Sequence, residues 1–395
     1  VPKDWKKYVY ITLRRGSLKL LKYELKKYVF RQEIVILTVC FLIFNTLNII
    51  KNNYNSDSDY NVYRDVYSTI NEHNPEKCIE KIRKLDYSDR ENSYQYGVIT
   101  QEMVNELASF PEYGHLSDTV MNQCYDKAEM NKNNEFLFRM NVRLGKRFAD
   151  RELTRFYNVN KIPELINYRV HFVLIIFLII FGAAGIFAGE KEANIEMLVK
   201  TSRKGFSTTV FNKIIALFIL VTGETLLFFA DNMLSFYACY KFDGLGMPVY
   251  QIFDYRGAVF NTASTDTIII FLIKMYLLSI AALVVIGLFV LLFSALFKTG
   301  KIAFFAGIAL LCLMIYYRAC HYIGYGQVAN VINPVSGFSA SNWMLYYKNA
   351  NIGGTPVYYV SLYLSAMLLE CIILIFSIRM VYVGVFRKNG KSNKK

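Results

Sequence analysis

The residues able to do chemistry in this chain are few and badly spaced for it. Its four histidines, His73, His115, His171 and His321, are far apart, so no pair stands one helical turn apart as zinc-peptidase chemistry requires. Gly390-Lys391-Ser392 ends like a loop that cradles phosphates with its backbone amides. The glycine upstream is Gly384, one position too far for that pattern, and no nucleotide binding by this chain is expected. Asp57-x-Asp59 has the spacing of a metal-holding acidic pair, but in a Ser/Asn-rich stretch it reads first as a solvated turn. Cys78 and Cys124 leave two readings open, a disulfide worth ~3–4 kcal/mol or two buried thiols. Cys40, Cys239, Cys312, Cys320 and Cys371 have no metal-type spacing and read as packing residues. No metal site is expected, and no catalytic residue.

The more informative polar residues sit inside long apolar runs. A charge at the centre of such a run costs ~2.5–3.5 kcal/mol on the insertion scale and must face protein or water. Glu224 falls near the middle of the third run, where it either lines a conduit or makes an interhelical hydrogen bond. Glu370 falls in the inner half of the sixth. Asp231 and Lys274 approach one surface from the third and fourth runs, at depths that permit an ion pair, and Arg318 and His321 close the fifth. Gly182, Gly185 and Gly189 form a small-residue face suited to close helix packing.

The elements that must position these residues are six apolar stretches, Ile34–Ile50, Tyr168–Ala188, Ile214–Phe236, Ile268–Phe297, Ile302–Ile323 and Pro356–Val381. Each reaches or nearly reaches the ~20 residues that cross ~30 Å of hydrocarbon. Each must be a helix, because a lone segment in lipid can satisfy its backbone groups in no other way. With 54% hydrophobic residues and a mean hydropathy of +0.25, the chain is too apolar for an ordinary soluble protein.

The net charge of +14 is not a nucleic-acid signature, because its lysines and arginines cluster in segments that flank the spans. They concentrate in 1–33 (among them Lys3, Arg14, Lys22, Lys26 and Lys27), in 189–213, at Lys298 and Lys301, and after Val381. Short basic loops stay in the cytoplasm. Both termini are therefore expected inside a plasma membrane and residues 51–167 outside. No cleavable signal peptide is expected, since the first apolar run follows more than thirty polar or amphipathic residues. The Lys/Asn/Tyr/Ile-rich usage and the lack of an Asn-x-Ser/Thr sequon favour a bacterial source.

Residues 1–33 carry apolar positions Leu18, Leu21, Leu25 and Tyr28 at helical spacing among lysines, the pattern of an interfacial helix, with a break expected at Gly16-Ser17. The insert reads as mainly helical, with a helix start at Pro75-Glu76-Lys77 and helical periodicity over Gln101–Phe110 and Glu135–Phe156.

The resulting fold class is an all-α polytopic membrane protein. It has an amphipathic segment (1–33), transmembrane helix 1 (34–50), an extracellular domain (51–167) and transmembrane helix 2 (168–188). A cytosolic segment (189–213), transmembrane helices 3–6 with their loops (214–386) and a basic tail (387–395) follow.

Within 189–213 the run Phe187-Ala188-Gly189-Glu190-Lys191-Glu192, then Glu196-Met197-Leu198, Thr201-Ser202-Arg203-Lys204-Gly205 and Lys213, resembles the signature of ABC type 2 exporter permeases. The order of spans and insert, and the proline-bearing loop at Asn333-Pro334, are similar too; Phe206 stands where many relatives carry arginine. The resemblance implies that Glu190, Glu192, Glu196, Arg203, Lys204, Gly205 and Lys213 couple the chain to a separate ATPase subunit. ATP and magnesium would bind on that partner and no cofactor on this chain. It further implies a dimer with a second permease copy or paralogue, embedded in the lipid bilayer, that moves a peptide, lipid, drug or ion outward by alternating access. Two other classes fit the same features: a membrane sensor or scaffold with a ligand-binding external domain, and a membrane-embedded glycan or lipid transferase using Asp57 and Asp59.

Overall fold

The computed structural model describes residues 20–54, 58–89, 93–196, 207–253, 262–320 and 330–392. The chain is mostly helical, at 78%. Among the described residues six helices are long and apolar enough to cross a membrane, Gln32–Lys51, Ile162–Glu192, Thr208–Tyr240, Ile268–Leu296, Gly300–Cys320 and Tyr359–Tyr382, referred to as the first to sixth spans. The second begins with a short helix, Ile162–Asn167, and runs unbroken only from Val170. The last helix continues to Ser392, so the expected basic tail is helical in backbone for most of its length.

Packing divides the spans into two classes. The second and fourth are the most buried and carry the core, in which Ile175, Leu178, Ile179, Leu283, Val285 and Leu288 are inaccessible. The first, fifth and sixth are largely exposed along apolar side chains, as a helix facing lipid or another subunit is. Close approach does come from small residues, but not from the expected set. A methyl added at Gly182, Gly287 or Gly307 would meet Leu220, Leu217 or Val290 at 2.8–2.9 Å. One added at Gly185 or Gly189 would meet nothing within 4 Å, so those two do not form the tight face that their spacing suggests.

The insert is helical as its periodicity implies, with helices Ser58–Ile70, Pro75–Arg83, Ser93–Ala108, Phe110–Met130 and Glu135–Phe148. Asn74 caps the second of these, accepting from the Lys77 amide at 3.1 Å, with Pro75 in the first turn. The expected helix to Phe156 stops at Phe148, because Ala149 turns extended and Asp150 adopts a positive φ of 56°. That turn sends Arg151, Leu153 and Phe156 inward as an extended arm. Cys78 and Cys124 are free and lie in different clusters, Cys124 against Phe148 and Ala263, so the buried-thiol reading holds. Burial raises the Cys78 thiol to about 11 and shifts Cys124 upward as well.

The insert docks on the loops that follow the third span and precede the sixth. Asp243 accepts from the Asn158 amide at 2.7 Å and the Tyr67 hydroxyl at 2.6 Å. Four arginines at i, i+4 spacing reach across. Arg139 donates to Thr355, Arg143 to the Pro356 carbonyl, and Arg147 and Arg151 to the Ala263 and Thr262 carbonyls.

Two features depart from an all-α chain. Pro356, expected to open the sixth helix, belongs instead to a hairpin pairing Asn349–Ile352 with Thr355–Tyr358. Gly353 and Gly354, at φ of 57° and 81°, make the two-residue turn that such hairpins need. Before it, Pro334–Ser339 forms a 3₁₀ turn buried among the spans. The Asn333 amide donates to the Met314 carbonyl and Arg318 to the Val335 carbonyl, while Tyr363 donates to the Pro334 carbonyl at 3.1 Å. Irregular backbone at this depth survives only because protein surrounds it.

Candidate functional site

At the end of the bundle opposite the insert, the second and third spans meet around one buried ammonium. Lys213, fully buried near the start of the third span, donates to Glu190 Oε1 at 2.7 Å, the Ile186 carbonyl at 2.9 Å, and Glu24 Oε2 and the Tyr28 hydroxyl at 3.3 Å each. Its Nζ also lies 4.7 Å from the Tyr28 ring centroid and 5.2 Å from that of Phe187. Lys27 adds a second cation 3.4 Å from Glu190 Oε1, so two carboxylates and two ammonium groups balance. Glu24 and Tyr28 stand one turn apart on the helix over 20–28, whose inner face they form. Burial raises the Glu24 carboxyl above its ordinary value, with Lys213 pulling the other way and Glu190 adding to the rise. Removing the central ammonium from such a set leaves buried carboxylates uncompensated, which costs about 3–5 kcal/mol.

The neighbouring residues extend this junction to the remaining spans. Lys191 caps the end of the fourth span through the Ala295 and Phe297 carbonyls. Glu192 Oε1 accepts from the Gly300 amide at 2.8 Å, where a carboxylate suits the positive end of the fifth span. The Ser294 hydroxyl enters the second span's backbone ladder, donating to the Ala184 carbonyl at 2.7 Å and accepting from the Phe187 and Ala188 amides. Phe187 packs on Tyr382 of the sixth span, with centroids 5.2 Å apart. Residues 186–192 therefore touch the third to sixth spans and the helix that leads into the first.

Of the residues singled out in the sequence, Glu190 and Lys213 come together, but inside the protein rather than on a docking face. Glu192 is exposed at the fifth span's start and Glu196 is half-buried. Arg203, Lys204 and Gly205 lie outside the described residues, as do Gly16-Ser17, Asp57 and His321. Asp59, in the helix Ser58–Ile70, accepts from Gln95 at 3.0 Å. Glu24 is not singled out in the sequence, since an acid on a lysine-rich helix looks solvated, and Tyr28 counts there only as an apolar position of that helix. The signal available was Glu24 and Tyr28 at i, i+4, a stripe that continues to no further charge.

The polar residues within the spans form a seam between the first and third. Thr38 donates to Glu224 Oε1 at 2.9 Å, and one heptad along, Asn45 and Thr46 donate to Asp231 at 2.7 Å each. Asn45 also bonds Asn232, which donates to Tyr276 of the fourth span at 2.8 Å. Asp231 and Lys274 do not pair. Lys274 turns outward to Asp266 at 2.6 Å, while Asp231 is satisfied by neutral donors from a parallel helix. Glu370 borders a groove beside the fifth span. Among the described residues no group of three or more His, Cys, Asp and Glu is placed to hold a metal.

No family model matches the chain, and no curated protein or solved structure does.

Proposed function

We propose that the chain is the membrane-embedded permease subunit of an ATP-driven exporter, working as a dimer of permeases with a separate ATPase on the face that carries residues 189–213. The observation that supports this reading is the junction around Lys213. A force applied to the segment between the second and third spans enters a buried node held by the bonds of Lys213. From there it passes to every span through Lys191, Glu192, Phe187, Ser294 and the helix over 20–28. Alternating access asks for such a lever, since tightly packed helices respond to a push by moving between discrete arrangements rather than deforming.

In this reading the chain makes and breaks no bond. ATP and magnesium belong to the partner. Glu190 and Lys213 hold the lever together, and Glu192, Glu196 and the residues after them present it to the ATPase. The insert lies outside a bacterial plasma membrane, on the same end as the loop after the third span and the hairpin before the sixth. Both termini lie in the cytoplasm.

Sidedness tests the reading directly. With single cysteines at Ala193 and Asn351, both exposed, a membrane-impermeant maleimide on intact cells should label Asn351→Cys at once. Ala193→Cys should label only after permeabilisation. Labelling of Ala193→Cys from outside would place the lever away from ATP and end the proposal.

A further inference from the structure

Beside the fifth and sixth spans lies a groove of about 490 Å³ whose lining is mostly apolar and aromatic, with Asn333, itself bonded to the Met314 carbonyl and the Val335 amide, and one carboxylate as its polar members. Phe289, Leu313, Met314, Tyr316 and Tyr317 form the walls, Pro334 of the buried 3₁₀ turn lines it too, and Glu370 supplies the charge. Glu370 stands about 16 Å along the helix from Tyr359, near the middle of a ~30 Å hydrocarbon layer. It makes no hydrogen bond or ion pair among the described residues, and its buried Oε2 has no partner. Glu224 shares a buried Oε2 without a partner, but its Oε1, like Asp231, takes a bond from the first span, and Glu370 takes none. A carboxylate at this depth requires a positive partner or its own proton. The exposed rings of Tyr316 and Tyr317 add faces that attract cations. The groove opens on the side of the bundle where the fifth and sixth spans show bare apolar surface, Leu313 and Leu369 among it. A ligand dissolved in the bilayer reaches it without crossing the protein.

Resting on the exporter reading above, we infer that this groove is the substrate site and that its occupant is a lipophilic amine: one protonated nitrogen against Glu370, with an apolar body along Phe289, Leu313 and Met314. Charge complementarity carries the choice. A neutral lipid offers no cation to the ionised Glu370, and an anion would be repelled by it. The aromatic walls favour the nitrogen's flanks as well as the tail.

The test uses the full chain in phosphatidylcholine nanodiscs, with rhodamine 6G as the cationic probe, neutral Nile red as control and fluorescence anisotropy as the readout. Glu370→Gln should weaken rhodamine 6G binding at least tenfold and leave Nile red within twofold. Met314→Trp, which fills the groove, should weaken both. On the unaltered chain, dodecylammonium should displace rhodamine 6G and dodecanol at the same concentration should not. Equal displacement by both, or unchanged rhodamine binding in Glu370→Gln, would overturn the inference. Failure of the unaltered chain to bind rhodamine 6G, with oxidative cross-linking between chains through the exposed Cys312, would assign the groove to a second copy and overturn it too. No ATPase enters this measurement, so its failure and the failure of the exporter reading are separate results.

Discussion

Lys213 is the residue on which the lever depends, and its surroundings say how it will respond to change. Lys213→Met leaves Glu24 and Glu190 buried without their main cation, a loss expected at about 3–5 kcal/mol and readable as a lowered melting temperature in detergent. Glu24→Gln should shift stability far less, because Lys213 keeps Glu190 at 2.7 Å and the Ile186 carbonyl at 2.9 Å. Equal losses in the two variants would mean that the cluster is not organised around the ammonium.

The pH response of this cluster has a definite sign. Glu24 has its carboxyl raised above the ordinary 4.5, chiefly by burial. The fold therefore favours its protonated form, and its contribution to stability is largest at low pH. That contribution declines as pH rises from 4.5 through the folded value. Glu24→Gln should remove this decline from a plot of stability against pH, and an unchanged slope would contradict the assignment. The sequence exposed half of this site. Glu190 and Lys213 stood out through a motif, whereas Glu24 was hidden because apolar periodicity assigns charges to water and cannot see one charge answering another far along the chain.

At the scale of elements, the spans were legible and their irregularities were not. Runs of apolar residues dictate helices in lipid whatever they pack against. The buried turn Pro334–Ser339 depends on the fourth and sixth spans accepting its backbone, which no local pattern announces. Gly337 shows how tightly it fits, since a methyl there would collide with the Tyr363 hydroxyl and come within 3.2 Å of the Leu278 carbonyl. Gly337→Ala should therefore cost about 1–3 kcal/mol through overpacking, seen as a lower unfolding midpoint. Ser294→Ala removes the hydroxyl that bonds the Ala184 carbonyl and the Phe187 and Ala188 amides and should cost about 1 kcal/mol. Either variant at wild-type stability would show that its element tolerates slack. The hairpin before the sixth span had a readable signal in Gly353-Gly354 between short extended runs, but hydropathy averaged it into the neighbouring helix.

For the molecule as a whole, charge distribution and hydropathy sufficed to order six spans and one large insert, because both are properties of composition over long windows. They could not show how the insert is held. The arginines from Arg139 to Arg151 look like a solvated helical stripe until the hairpin and the Thr262 and Ala263 carbonyls are in place. Nor could they decide the state of Cys78 and Cys124, which are separated by the packing of two clusters. Both thiols are buried and shifted upward. Neither should react with maleimide at neutral pH in the folded chain, and both should react after unfolding; protection that persists in denaturant and disappears with reductant would reveal a disulfide instead.

The claim on which the whole account turns is that an outside motor drives these helices through the segment joining the second and third spans. The measurement is ATP hydrolysis and vesicle transport by the chain isolated from its native membrane with its bound partners, compared between wild type and Glu196→Lys. The account expects an ATPase subunit to accompany the wild-type chain in fixed proportion, with hydrolysis and transport linked, and Glu196→Lys to break that link while the protein stays in the membrane. Transport by the isolated chain with no ATPase present would contradict it.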